Sequence, residues 1–290
     1  MLGLIDHALG WKRVSDLAVA DCDDFLAAAA DGLRPGARKI GPDHLRRVRS
    51  KLVAVIDNEV RLGTVGRNVA AQSYRPKQVP RRRRAARRRA LSRDELRRFI
   101  AASSGATLVA VDLIGRNGLR PAEARGLTWD AVDLVAQVML VETQMDSDDD
   151  PADVKTDESF RRIRIDSTTA ARLTEWRSQQ SVLRARHASR WTERCLVVST
   201  RYGTAINRNN FVRSVARLSA HADIGDPIVP YELRHTAISH QADAGRSSWE
   251  IADWAGTSER MISDTYRHQL RDISDLTPAD EVDRDGPPRG

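Results

Sequence analysis

Between residues 11 and 75 the apolar positions recur at helical spacing. Val19, Phe25 and Leu26 open one amphipathic stretch, and the 32–36 segment, rich in Gly and Pro, breaks it. Pro42 opens a second stretch through Arg61, in which Leu45, Val48, Leu52, Val55, Ile56 and Val60 share a face. That face packs and leaves Arg46, Arg47, Arg49 and Lys51 available to solvent or a ligand. A new series begins at Ser92, whose hydroxyl forms a capping box with Glu95 ahead of Leu96, Phe99 and Ile100. Residues 106–117 make an apolar helix closed by Gly118, and Pro121 occupies the first position of the next helix, so Arg120 falls in the turn between them. At 138–143 and 160–166 the pattern is β-type, the second segment alternating through Ile163 and Ile165, which predicts a hairpin with Lys155 in its loop. Helical spacing returns over 167–187 and 207–222, around a short apolar segment at 195–199. Pro230 then opens the helix of Arg234, His235 and His240. Ser247 with Glu250 forms another capping box, and a last helix groups Met261, Ile262, Thr265 and Tyr266. The pattern predicts a mainly α chain with a small β-hairpin or sheet, an α+β fold.

Length and charge divide this series. At 290 residues with 41% hydrophobic content the chain has material for two folded domains. The net charge of +7 hides an asymmetry: from Arg34 to Arg98 there are 21 basic against 5 acidic residues, a balance of +16, and the remainder carries −9. A local surplus of this size reads as a nucleic-acid contact region, because neutralising phosphates releases counterions; the alternative is a solvated linker with incidental charge. Within it, 76–91 holds Pro80 and seven arginines between Arg81 and Arg89, including Arg81, Arg82, Arg83 and Arg84, and reads as an extended linker. The domains expected are therefore a helical DNA-binding unit at 1–75, the linker, a second domain at 92–271, and a disordered acidic tail at 272–290. Cys22 and Cys195 stand in no metal or redox spacing and read as two reduced thiols. No apolar run reaches the ~18 residues of a membrane span, and no signal-peptide pattern is present, so a cytoplasmic location without membrane partners is expected.

The chemistry sits in four positions. In order they are Arg120 in Gly118-Leu119-Arg120-Pro121-Ala122-Glu123, then Lys155, then Arg234 in Leu233-Arg234-His235-Thr236, then Tyr266 ahead of Arg267-His268. A guanidinium presents a rigid fork of donors to two phosphate oxygens and stays charged, so two converging arginines hold a phosphodiester and offset charge that develops on it. A phenol supplies a nucleophile. Lys155 is the only lysine beyond residue 77, in a region otherwise served by arginine, and an ammonium gives up a proton where a guanidinium does not.

This constellation resembles the tyrosine recombinase family, the phage-integrase-like DNA strand transferases, over residues 9–270. Arg120 falls on the family's first arginine, Lys155 on its hairpin lysine, Arg234 on its second arginine and Tyr266 on its nucleophile. The steps of 23 residues from Arg234 to Thr257 and 9 from Thr257 to Tyr266 also agree. The resemblance implies a helical core-binding domain, shortened at its start because the chain begins late for the family's earlier helix, followed by a tyrosine-recombinase-like catalytic domain. It implies double-stranded DNA as partner, a homotetramer on two DNA sites, a 3′-phosphotyrosyl intermediate, and no cofactor or metal.

Two positions depart from the family. Tyr231 stands where a histidine is usual before the second arginine, and Thr257 replaces the histidine of Gly-His-Ser. Imidazole titrates near pH ~6.5 and exchanges protons at neutrality, whereas a phenol titrates near ~10 and a threonine hydroxyl hardly at all. Tyr231 retains a hydrogen-bond donor, and Thr257 reads equally as the N-cap of the helix carrying Tyr266. The loop holding Lys155 also carries Asp146, Asp148, Asp149, Asp150 and Asp153; their spacing lacks the central Gly and terminal Glu of a Ca²⁺ loop and reads as a solvated, mobile insertion. Three functions stay open: a site-specific recombinase, a catalytically impaired DNA-binding remnant of the same family, and a topoisomerase-like nicking-closing enzyme.

Overall fold

The computed structural model describes residues 2–32, 39–74, 89–146, 149–154 and 159–266. The chain divides into two compact units, Met1–Arg87 and Arg88–Gly290.

The first unit is helical: α1 (Leu2–Leu9), α2 (Val19–Asp31), α3 (Pro42–Arg61) and the short α4 (Val69–Gln72). Helix α1 precedes everything the apolar pattern had marked, and it contributes Ile5 and Leu9 to a core with Phe25, Leu26, Leu45, Val48, Leu52 and Ile56. Val55, expected on the packed face of α3, is exposed, because the buried stripe runs through 45, 48, 52 and 56. The α3–α4 corner is tied by Asn68, which caps α4 by accepting from the Ala71 amide at 3.0 Å and donates to the Val53 carbonyl at 2.9 Å and to Asp57 at 2.6 Å.

The second unit holds α5 (Arg93–Ala101), α6 (Gly105–Gly115), α7 (Pro121–Gly126), strands β1 (Val132–Asp133), β2 (Val138–Val141), β3 (Thr143–Met145), β4 (Pro151–Asp153) and β5 (Arg161–Arg164), then α8 (Ser167–Arg186), α9 (Arg208–His221), α10 (Pro230–Asp243), α11 (Ser248–Ala255) and α12 (Glu259–Tyr266). Both capping boxes form, Ser92 with Glu95 at α5 and Ser247 with Glu250 at α11. Strands β1, β2 and β5 make an antiparallel sheet in which Met139 faces Ile163 and Val141 faces Arg161. The expected hairpin is thus β2 with β5. Between them, however, β3 and β4 form a second two-stranded ladder, Thr143 opposite Asp153 and Met145 opposite Pro151. Where a mobile loop was expected, its described acidic residues are tied down: Asp149 pairs with the buried Arg125 and accepts from Asn207 at 2.7 Å, and the Asp146 carboxylate accepts the Asp150 amide at 3.0 Å, while Asp148 lies outside the described residues.

The core of this unit gathers Phe99, Leu113, Ile114, Leu119, Met139, Ile163, Leu173, Phe211 and Leu233. A smaller cluster of Ile238, Ala242, Ile251, Ala255, Ile262 and Tyr266 joins the last three helices. Cys22 is buried and Cys195 exposed, both as free thiols. Among the described residues no helix is long and apolar enough to cross a membrane. Residues 76–88 of the expected linker and the tail at 272–290 lie outside the described residues.

Candidate active site

Arg120 owes its position to the way α6 ends. Gly118 adopts a left-handed φ of +68°, its amide donates to the Ile114 carbonyl at 3.2 Å, and the Leu119 amide reaches back to Leu113 at 3.2 Å. The bond from the Gly118 amide four residues back, with glycine in the left-handed region, is an αL closure, and it favours glycine at the turn. A Cβ on Gly118 would also lie 2.5 Å from the Trp254 ring. Fully buried Leu119 pins the turn, and Pro121 starts α7 with Arg120 as its N-cap.

Glu123 is the centre of the site. Its side chain is 1% exposed, and three guanidiniums converge on it: Arg120 at 2.5 Å, Arg161 at 3.0 Å and Arg234 at 4.0 Å. Burial pushes the Glu123 carboxyl up, but hydrogen bonding and charge from Arg161, with the charges of Arg120 and Arg234, hold it below its ordinary value of 4.5. Burial pushes the Arg234 guanidinium down to about 10, with Glu123 the main opposing influence, so it stays cationic at neutrality.

The same three arginines grip one helix end. Arg161 donates to the Trp254 carbonyl at 2.8 Å, Arg234 to the Ala255 carbonyl at 2.7 Å, and Arg120 to the Gly256 carbonyl. These are the last two carbonyls of α11 and that of its C-cap Gly256, at the helix end where carbonyls lack backbone partners and the helix dipole favours cations. Gly256 closes α11 with φ +64°. Arg234 also donates to the Gly118 carbonyl, so the turn that sets Arg120 is fastened to the second arginine.

Arg161 was not singled out among the candidates. A signal for it was present: in β5 it shares strand parity with Ile163 and Ile165, and the observed burial alternates accordingly. Glu123 was quoted within its motif and given no role.

Tyr266 ends the described part of α12. It is 2% exposed, and its hydroxyl lies 2.5 Å from Nδ1 of His235, the residue after Arg234, with the rings 4.9 Å apart and inclined by 38°. His235 directly follows Arg234 on α10, so this contact brings the phenol close to the second arginine. The structure therefore brings Arg120, Arg234 and Tyr266 into one region. Tyr231 lies in the first turn of α10 and is 58% exposed. Among the described residues neither its phenol nor the Thr257 hydroxyl makes a hydrogen bond. The N-cap expected at Thr257 falls one residue later, where the Ser258 side chain accepts from the Met261 amide at 3.4 Å, because α12 starts at Glu259. Lys155 lies outside the described residues.

Of the basic positions in the first unit, Arg47 and Lys51 are exposed and Arg46 pairs with Asp43. Arg49 departs from its expected place on the open face: its guanidinium turns inward to the carbonyls of Ala70, Ala71 and Ser73 at 3.1, 2.9 and 3.2 Å, closing the end of α4. Arg81, Arg82, Arg83 and Arg84 lie outside the described residues. No cluster of His, Cys, Asp and Glu among the described residues is arranged to hold a metal.

Comparison with known proteins agrees with this geometry. Residues 89–272 match the model of the phage integrase family. The fold is similar to the integrase of transposon Tn1549 in complex with transposon right end DNA, with TM-score 0.63 and 13% identity, covering 91% of this chain and 85% of that one. It is similar also to a lambda integrase dimer bound to a core site, with TM-score 0.59 and 16% identity over 95% of this chain and 72% of that one. XerA recombinase gives TM-score 0.50 and 16% identity, covering 92% and 88%. No curated protein sequence matches.

Proposed function

The chain belongs to the phage integrase family, and from that premise we propose that it is a site-specific recombinase that cuts and rejoins duplex DNA through a 3′-phosphotyrosyl intermediate. The observation that carries this reading is the shared Glu123, which draws Arg120 and Arg234 together beside Tyr266. Three guanidiniums against one carboxylate leave a surplus of two positive charges. That surplus complements the charge on a phosphodiester and on the more highly charged pentacoordinate state formed when it is attacked. Arg120, about a quarter exposed, offers its remaining donors to the phosphate. Arg234 spends one proton of each Nη on carbonyls and keeps others for a phosphate oxygen.

In the reaction Tyr266 attacks phosphorus, the bond to the 5′-oxygen breaks, and Lys155 protonates that oxygen. The phosphotyrosyl ester conserves the bond energy, and the 5′-hydroxyl of a partner strand reverses the step. Arg47, Lys51 and the 81–84 arginines supply sequence-independent contact with the DNA backbone. Four copies assemble on two DNA sites, and neither metal nor nucleotide takes part.

The second reading, a DNA-binding remnant that does not cut, draws on the exposed Tyr231 phenol and the unengaged Thr257 hydroxyl, which stand where imidazoles are usual. A labelled pool of nicked duplexes of randomised sequence, incubated with wild type and Tyr266→Phe and run on a denaturing gel, separates the two. A protein–DNA adduct that requires Tyr266 is expected. A low-salt mobility shift with no adduct would overturn the recombinase reading in favour of the remnant.

A further inference from the structure

Cleavage needs a group that takes the phenol proton, and positions 231 and 257, where histidines are usual in the family, hold Tyr and Thr here. We propose that His235 is a catalytic residue of this chain, the base that receives the Tyr266 proton and returns it on religation. The inference rests on the recombinase reading above.

The geometry is direct. Nδ1 of His235 is 2.5 Å from the Tyr266 oxygen, the atom that bonds to phosphorus. A neutral imidazole with its proton on Nε2 presents a lone pair at Nδ1, and proton transfer requires this kind of contact. The two rings lie 4.9 Å apart at a 38° tilt, and Tyr266 is buried in the cluster that also holds Ile238, Ile251 and Ile262. His235 is half-buried whereas Tyr266 is sealed. Its place in α10, directly after Arg234, brings the base beside the arginine that holds the phosphate. An imidazolium formed there adds to the positive charge around the developing phosphorane.

The step balances. The bond from Tyr266 Oη to phosphorus forms as the bond from phosphorus to O5′ breaks, the phenol proton moves to His235 Nδ1, and the departing O5′ takes its proton from Lys155. Religation runs each transfer backwards and leaves neutral imidazole and phenol.

The experiment uses the full chain and the duplex sequence recovered from wild-type adducts, made with either oxygen or sulfur as the bridging 5′ atom. Sulfur departs as thiolate without a proton, so this substrate relieves the need for an acid and leaves the need for a base. His235→Ala is expected to form adduct on the order of 10²-fold more slowly or worse on both substrates. Added imidazole should restore part of the rate. His235→Asn, which keeps a polar atom near the Nδ1 position and preserves packing, should be as slow as His235→Ala. Adduct formation by His235→Asn within about threefold of wild type would overturn the proposal. So would recovery of His235→Ala on the sulfur substrate, or a slow His235→Ala that imidazole does not rescue. Absence of adduct from the unaltered protein is a separate result and removes the recombinase reading itself.

Discussion

The backbone of Gly256 runs so close to the Arg161 guanidinium that a Cβ on residue 256 would sit 2.6 Å from Nη1. Gly256 also holds φ +64°, where a side chain costs about 1 kcal/mol, and its carbonyl accepts from Arg120. Gly256→Ala is expected to lower the melting temperature by several degrees and to reduce adduct formation by roughly a hundredfold, since small displacements of positioned groups carry such penalties. Thermal unfolding read beside the denaturing gel checks both; an alanine chain with wild-type cleavage refutes it.

Glu123 compensates three buried or half-buried cations, so Glu123→Ala leaves them unmatched. Removing one partner of a buried pair costs about 3–5 kcal/mol, and denaturant unfolding should show a loss in that range. Its folded-state pKa lies below 4.5, so its stabilising contribution is complete above about pH 4.5 and disappears as the pH falls through the folded value. Glu123→Gln should therefore unfold at lower denaturant than wild type at pH 7, and the two curves should approach each other in acid. Parallel curves from pH 7 downward would contradict the assignment.

Arg161→Lys keeps the charge and loses the planar fork that reaches Glu123, the Ser159 carbonyl and the Trp254 carbonyl together. It is expected to slow cleavage by at least about tenfold while binding to duplex DNA stays near wild type, because Arg161 is 5% exposed and acts through Arg120, Arg234 and the end of α11. Comparing adduct rates with mobility shifts measures the split.

Arg47, Lys51 and Arg49 are near neighbours on α3 with different fates. Arg47→Ala and Lys51→Ala should each reduce the salt dependence of duplex binding by about one unit of slope and leave thermal stability unchanged. Arg49→Ala should instead lower stability by about 1–3 kcal/mol, because it strips three carbonyls at the end of α4 of their donor. A lost salt slope at Arg49 with no change in melting would reverse the distinction.

What was legible in the sequence was local or carried by motif. Pro42, Pro121 and Pro230 mark the starts of helices α3, α7 and α10, Ser92 and Ser247 cap where their glutamates indicate, Gly118 makes the turn after α6, which ends at Gly115 rather than at Asn117, and period-two alternation pairs β2 with β5. Arg120, Arg234 and Tyr266 stood out because their order and spacing form a pattern. Which of 47 basic residues would turn inward was decided only in three dimensions. Arg161 meets Glu123 across 38 positions, and Arg49 reaches α4 across more than 20. Asp149 ties part of the acidic loop to Arg125, and His235, quoted in sequence only as part of the second arginine's motif, meets Tyr266 because α10 and α12 both pack on α11. Helical and strand periods report which face of an element is apolar; the partner of a buried charge depends on where distant helix ends and strands come together, and only the folded chain brings those donors and acceptors within reach.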